Sequence, residues 1–327
     1  GFFYFLFGVS PYVGKALVSI FALVAGVYLI AWLRRWVAPE AGWGGLLLLL
    51  QPGLVMWSNA VMLNVPSMAL GFAALYHARR WLEPAGTRQH AYLAGLFAVI
   101  GILTYFPTGV VVPITLVWII ADGYWRTFLD RRKWIIIVLS LLLLLPSALL
   151  FKYWSPAHFS NLFAPILFPA LLAHRWSYYF NHVDEIIYPL VLFLAFLGSV
   201  PALWTRSWRK AVKVLLIWIG VTLAVFSYVW FKEARYVLLL VPPMIILVVG
   251  GIFCLSEWWS VTFHRPVGAL FFPALGLIVV LHVLMAPSVE FPDIKGVKEV
   301  ALFLEKRAPR ARFFYDGRYD SIFTFYL

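Results

Sequence analysis

Residues 56–70 read MWSNAVMLNVPSMAL, a short polar turn held between two apolar runs. One run, Leu46 to Trp57, leads into it; the other, Met68 to Tyr76, leaves it. Pro66 is compatible with the first turn of a helix, where a backbone N–H has no intrahelical acceptor to lose. The pattern predicts a helix, a tight loop at a membrane surface around Ser58-Asn59 and Asn64 to Ser67, and a second helix. Asn64 has two readings. It caps the second helix, the usual task of such a residue, or it points at whatever lies above the loop.

Working outward, apolar runs recur along all 327 residues. The chain is 63% hydrophobic and 12% charged, with a mean hydropathy of +0.89. A soluble domain carries charge on about a quarter of its residues, so the expectation is an all-α polytopic membrane protein. Ten segments approach the roughly 20 residues needed to span a bilayer: 11–33, 41–59, 65–79, 90–105, 107–124, 134–152, 187–204, 211–230, 236–256 and 267–286. Pro107 breaks the run between the fourth and fifth, and a hairpin there keeps the charge pattern consistent.

The net charge of +12 comes in short clusters between apolar runs. That is the pattern of topology signals, not of a nucleic-acid surface. Fourteen Lys and Arg fall in one set of loops, from Arg34 to Arg265; the opposite set holds five, Lys15, Lys152, Arg175, Lys232 and Arg235. The positive-inside rule makes the richer set cytoplasmic. The Asn64 turn, the loop 153–186, the turn 231–235 and the C-terminal tail then lie outside. The single cysteine, Cys254, precludes an internal disulfide.

The outer loops carry the unusual residues. Residues 153–189 hold His158, His174, Arg175, His182, Asp184 and Glu185 among aromatics. The histidines lack metal-ligand spacing, so no metal site is placed on them. Arg175 to His182 reads as an interfacial helix covering a pocket. Further on, Phe231-Lys-Glu-Ala-Arg-Tyr236 sets two cations and one carboxylate at the mouth of an apolar helix. Charge at such a depth is costly unless paired or employed. The plain reading is snorkelling with an internal ion pair; the sharper one is a phosphate clamp, because Arg presents a fork of donors to phosphate oxygens. Glu233 and Arg235 are two residues apart and share no helix face, which predicts a guanidinium free for a ligand.

Two of these stretches carry a family resemblance. Met62-Leu-Asn-Val-Pro-Ser67 resembles the second extracytoplasmic loop of GT-C membrane glycosyltransferases, which reads like "mLDvPsmal". These enzymes include protein O-mannosyltransferases and the lipid A aminoarabinose transferase. Arg235-Tyr236 followed by an apolar run and Pro242-Pro243 resembles a second feature of the same family. The chain departs from the family at Asn64, where the family has an acidic residue. An amide can hold a hydroxyl by hydrogen bonds but cannot serve as a general base.

The resemblance implies transfer of a sugar from a polyprenyl- or dolichyl-phosphate donor to a lipid, glycan or protein acceptor, on the extracytoplasmic face of a multi-pass membrane protein (the plasma membrane in a bacterium or archaeon). Lys232, Arg235 and Tyr236, with Lys152 and Arg175 behind them, are the expected phosphate-binding residues. Asn64, Asp184, Glu185 and Glu233 are the expected catalytic set. Whether a divalent metal serves the site is left open by these residues. A transporter or lipid flippase, or a non-catalytic relative of the transferases, are the alternative readings; no internal repeat of the transporter kind is evident. Residues 1–289 read as the membrane domain, lacking the family's first helix and the first loop with its main acidic residue. Residues 290–327 read as the truncated start of a soluble extracytoplasmic α/β domain.

Overall fold

Pro11 opens the first helix, α1 (Pro11–Trp36), whose last turn carries Arg34 and Arg35. Cations there suit the negative end of the helix dipole. The structure, a computed structural model, describes residues 11–59, 62–122, 178–228, 233–285 and 306. The chain divides into two units, Gly1–Ala286 and Pro287–Leu327; the expected α/β domain at 290–327 and the expected span at 134–152 lie outside the described residues, Lys306 apart.

After α1 a 3-10 segment, Glu40–Leu50, leads to α2 (Pro52–Asn59). The polar turn follows, and α3 (Asn64–Trp81) starts at Asn64 and ends with Arg79 and Arg80 in its last turn. Next comes α4 (Arg88–Thr104). Tyr105 is extended, at φ −161° and ψ 123°, and Pro107 follows in a 3-10 turn, Phe106–Val110. Then α5 (Val111–Ala121) runs back. Ser67 meets Thr108 at one end of this hairpin and Arg79 meets Asp122 at the other, so the chain reverses at Tyr105. The remaining long helices are α6 (Pro189–Ser199), α7 (Arg206–Tyr228), α8 (Val241–Phe263) and α9 (Gly268–Met285). Ahead of α8 lies a 3-10 segment, Ala234–Leu240. No strand occurs among the described residues.

Each expected span within the described residues falls on helical structure. Among the described residues three helical stretches are long and apolar enough to cross a membrane: Tyr12–Trp36, Trp208–Tyr228 and Ala234–Phe263. The third is enclosed on nearly all sides, while α1 exposes Ile20, Leu23 and Val27 along one face. In water such a stripe would be a liability; against lipid tails it is at home.

Backbones come close where two glycines meet. A methyl on Gly251 of α8 would stand 2.2 Å from the Cα of Gly198 on α6, and one on Gly198 would stand 2.1 Å from the carbonyl oxygen of Leu247. Only bare backbone allows this crossing. At one end of the bundle Trp32, Phe72, Trp118 and Trp218 form an aromatic cluster, with Trp218 5.8 Å from Trp32 and 5.6 Å from Phe72 between ring centroids. Within it, Trp118 Nε1 donates to the carbonyl of Val214 at 2.8 Å and ties α5 to α7.

Candidate active site

Asn64 is the first residue of α3, and the residue before it, Leu63, supplies no side-chain cap. The Asn64 carboxamide does not cap either. It is 5% exposed, and its Nδ2 makes no well-aligned hydrogen bond among the described residues. Burying an amide donor without an acceptor costs about 1–3 kcal/mol. Leu63, not Asn64, holds the N-cap position of α3, so of the two readings of Asn64 the capping one is not realised.

The amide lines a small pocket built by three pieces of chain. One turn further along α3 come Ser67 and Met68; the break between α4 and α5 adds Tyr105, Pro107 and Thr108; the 3-10 segment before α8 adds Arg235, Tyr236 and Leu239. Its free volume is about 10 Å³, room for a single water. Hydroxyls fix the walls. Ser67 Oγ and Thr108 Oγ1 lie 2.5 Å apart, joining α3 to the break. Tyr105 and Tyr236 hydrogen-bond through their hydroxyls, with Asn64 and Arg235 beside Tyr105. Phe106 closes one side, 5.7 Å from the Tyr236 ring.

Among the described residues Arg235 is the only cation lining the pocket. Its Cζ stands 5.7 Å from the Trp57 ring centroid, within cation–π range. Its Nη1 donates to Met62 Sδ at 3.1 Å, a weak acceptor. Its Nε meets the Glu233 carboxylate. That ion pair corrects the expectation of a guanidinium free of Glu233. The i, i+2 argument holds only inside a helix, and here the helix begins at Ala234 while Glu233 is extended at φ −140° and ψ 140°. The extended residue turns its side chain back along the first turn. Met62 and Trp57, both in the stretch quoted at the outset, thus hold the guanidinium from the other side.

Tyr179, from the one-turn helix Tyr178–Asn181, backs this arrangement. Its hydroxyl hydrogen-bonds the main chain of Glu233, and burial pushes its pKa well above the ordinary tyrosine value. Beside it, His182 stacks on Tyr178 with ring centroids 4.2 Å apart. Only this part of the expected interfacial helix falls within the described residues.

The structure brings Asn64, Arg235 and Tyr236 together around one pocket, with Glu233 at its edge. It does not bring Asp184. That residue is exposed on the turn Val183–Glu185, whose neighbour Ile186 accepts a hydrogen bond from Gly53 N at 3.2 Å, at the start of α2. Glu185 sits on the same turn. Lys152, Arg175 and Lys232 lie outside the described residues. Sequence reasoning missed Ser67, Tyr105 and Thr108. Their signal was present: single polar residues flanking a proline that interrupts an apolar run. Among the described residues no three His, Cys, Asp or Glu side chains gather at metal-binding range.

A helical membrane bundle with an Asn-Val-Pro-Ser turn facing an Arg-Tyr pair is the fold of a GT-C glycosyltransferase. The chain belongs to the Alg9-like mannosyltransferase family, whose model matches residues 9–322. Two solved structures share its fold. ArnT from Cupriavidus metallidurans bound to undecaprenyl phosphate matches with a TM-score of 0.58 and 18% identity, over 93% of this chain and 60% of that one. The same protein in the apo state matches with a TM-score of 0.56 and 17% identity, over 98% and 55%. The chain thus spans less than two thirds of the length of these ArnT structures. No curated protein matches it by sequence.

Proposed function

We propose that the protein transfers a sugar from a polyprenyl-phosphate donor to an acceptor at the extracytoplasmic face of the membrane, with the donor phosphate held at Arg235. The observation that carries this reading is the meeting of the Asn64 turn and the Arg235-Tyr236 pair, far apart in sequence, around one polar pocket. Family membership supports a hexose, mannose first. The solved ArnT complex, which contains undecaprenyl phosphate, supports a lipid-linked donor.

The chemistry suits the residues. An acceptor hydroxyl attacks the anomeric carbon, the bond from that carbon to the phosphate oxygen breaks, and the phosphate leaves with added negative charge. A preorganised guanidinium stabilises that charge. Tyr236 donates to the Tyr105 oxygen, which leaves the Tyr105 hydroxyl hydrogen for a phosphate or sugar oxygen, and Asn64 Nδ2 offers a further donor. Asn64 cannot take the acceptor's proton. Glu233 is the nearest described carboxylate able to do so, with Asp184 and Glu185 on a separate turn. Lys152, Arg175 and Lys232 remain proposed companions of Arg235. The basic bias of fourteen to five puts this end outside.

The test uses the full-length protein in liposomes with polyprenyl-phosphate mannose. Mannose appearing on an acceptor supports the reading. Movement of the lipid across the bilayer with no sugar transferred would favour the flippase alternative. Single cysteines at positions 209 and 174 check the face: position 209 should label from the cytoplasmic side and position 174 from outside, and labelling of 174 from inside alone contradicts the assignment.

A further inference from the structure

At the opposite end of α3 from Asn64 a second cavity opens, and nothing in the sugar-transfer reading uses it. Trp32 and Trp36 of α1, Arg79 of α3, and Arg206, Lys210 and Leu215 of α7 line it, and its volume is about 450 Å³. That size lies in the range of small-ligand sites. Of its three cations, Arg79 is matched by Asp122 at 2.7 Å. The same Asp122 also lies 3.6 Å from Lys213, so one carboxylate already answers two cations. Arg206 and Lys210 have no ion-pair partner among the described residues. They stand at i and i+4 on one helix face, where like charges repel. The first turn of α7 contains no acidic residue to relieve them. Two adjacent cations facing a cavity with no described counter-charge call for an anion.

The surroundings say which anion. The cavity lies where α1 and α7, both long and apolar enough to cross a membrane, reach one end of the bundle. Just ahead of Arg206, Leu203 and Trp204 are 73% and 57% exposed, the arrangement of residues anchored at a membrane interface. The walls combine indole rings with Arg and Lys heads, fitting an acyl–glycerol junction below and a phosphate above. We propose that this crevice binds the phosphate headgroup of an anionic membrane phospholipid, inserted between α1 and α7. Arg206 and Lys210 would hold the phosphate and Trp32 and Trp36 the glycerol region. The inference rests on α1 and α7 crossing the membrane and not on sugar transfer, and lipid binding is read whether or not a sugar moves.

The experiment is thermal melting of the purified full-length protein in neutral detergent, titrated with phosphatidylglycerol, phosphatidylcholine or inorganic phosphate. Phosphatidylglycerol should raise the melting temperature saturably, with little effect from the other two. The Arg206→Gln/Lys210→Gln double variant should need at least tenfold more phosphatidylglycerol for the same shift. Arg265→Gln, which removes a cation outside the crevice, should titrate like the parent. Equal titration of the double variant overturns the proposal, as does an equal response to phosphatidylcholine. A full response to inorganic phosphate alone overturns the lipid assignment. A matching loss in Arg265→Gln would reduce the effect to general surface charge and overturn the built site. If the double variant does not fold, Lys210→Gln alone must show weakened binding, and unchanged binding overturns the proposal.

Discussion

The two ends of α3, Asn64 and Trp81, are about 26 Å apart at 1.5 Å per helical residue, and they handle polarity in opposite ways. At the Arg79 end most charges are matched. Glu83 receives Arg35 Nη2 at 2.8 Å and Trp36 Nε1 at 2.7 Å, with Arg80 at 3.8 Å, and Asp122 holds Arg79 and Lys213. At the Asn64 end there is one ion pair, three hydroxyl-bearing side chains besides Tyr105, and a buried amide with an unspent donor. Charge density is therefore a poor guide to where this bundle leaves polar groups unmatched. The richer end pairs many of its charges internally, while the poorer end gathers its polar groups around one small pocket.

The largest expected effect lies at the poorer end. Arg235→Lys keeps a positive charge but loses the fork that reaches Glu233, Met62 and a phosphate together. Turnover with polyprenyl-phosphate mannose should fall by about 10²–10³-fold, the scale of losing one transition-state donor, whereas Arg79→Lys at the other end should leave turnover within a few-fold. Parity between the two variants would erase the contrast.

Second is a test of what holds the ends in register. Gly251→Val places atoms against Gly198 with no side chain to move aside. It should cost about 1–3 kcal/mol or more of stability, read as a lowered melting temperature, and should disturb both ends. Asn64→Ala comes third. It removes a buried amide whose Nδ2 has no well-aligned partner among the described residues and whose contact within the pocket is with Tyr105, so the melting temperature should fall little while transfer loses about 1–3 kcal/mol of polar contact. Asn64→Asp should be tolerated. A drop in melting temperature without a drop in transfer would turn Asn64 into a structural residue.

The smallest effect is at the matched end. Burial works to raise the Glu83 carboxyl pKa, but the hydrogen bond and charge of Arg35, with Trp36 and Arg80, outweigh it and hold the pKa below the ordinary carboxylate range. A group with a depressed folded pKa stabilises above its unfolded value, near 4.3, and that contribution is lost as pH falls through the folded value. Glu83→Gln should therefore cost about 0.5–1 kcal/mol near neutral pH, and the gap to the parent should close as the medium is acidified below about pH 4. A gap that persists in acid would place the effect in packing.

The helical spans and the meeting of Asn64 with Arg235-Tyr236 were legible from apolar run lengths and two short motifs, because membrane spans announce themselves by composition alone. The Glu233–Arg235 pair was one of two readings of this segment, and the sequence could not choose it over a free guanidinium. The pair depends on one residue's backbone being extended, and nothing local in Phe231 to Tyr236 distinguishes a helix starting at 233 from one starting at 234. Tyr105 and Thr108 were read as a break and not as walls of a site, since a lone polar residue in an apolar run says nothing about what packs opposite. The crevice at Arg206 and Lys210 was absorbed into a charge count that served only to orient the loops and could not tell matched cations from unmatched ones.

The measurement that bears most directly on Arg235 as the donor-phosphate residue is the affinity of the full-length protein for polyprenyl phosphate, taken beside the melting temperature, in the parent and in Arg235→Ala. The phosphate role predicts at least tenfold weaker binding in Arg235→Ala, with a melting temperature reduced only by the loss of the largely buried pair with Glu233. Parent-like binding in a variant that melts markedly earlier would contradict it and make Arg235 a member of a structural ion pair.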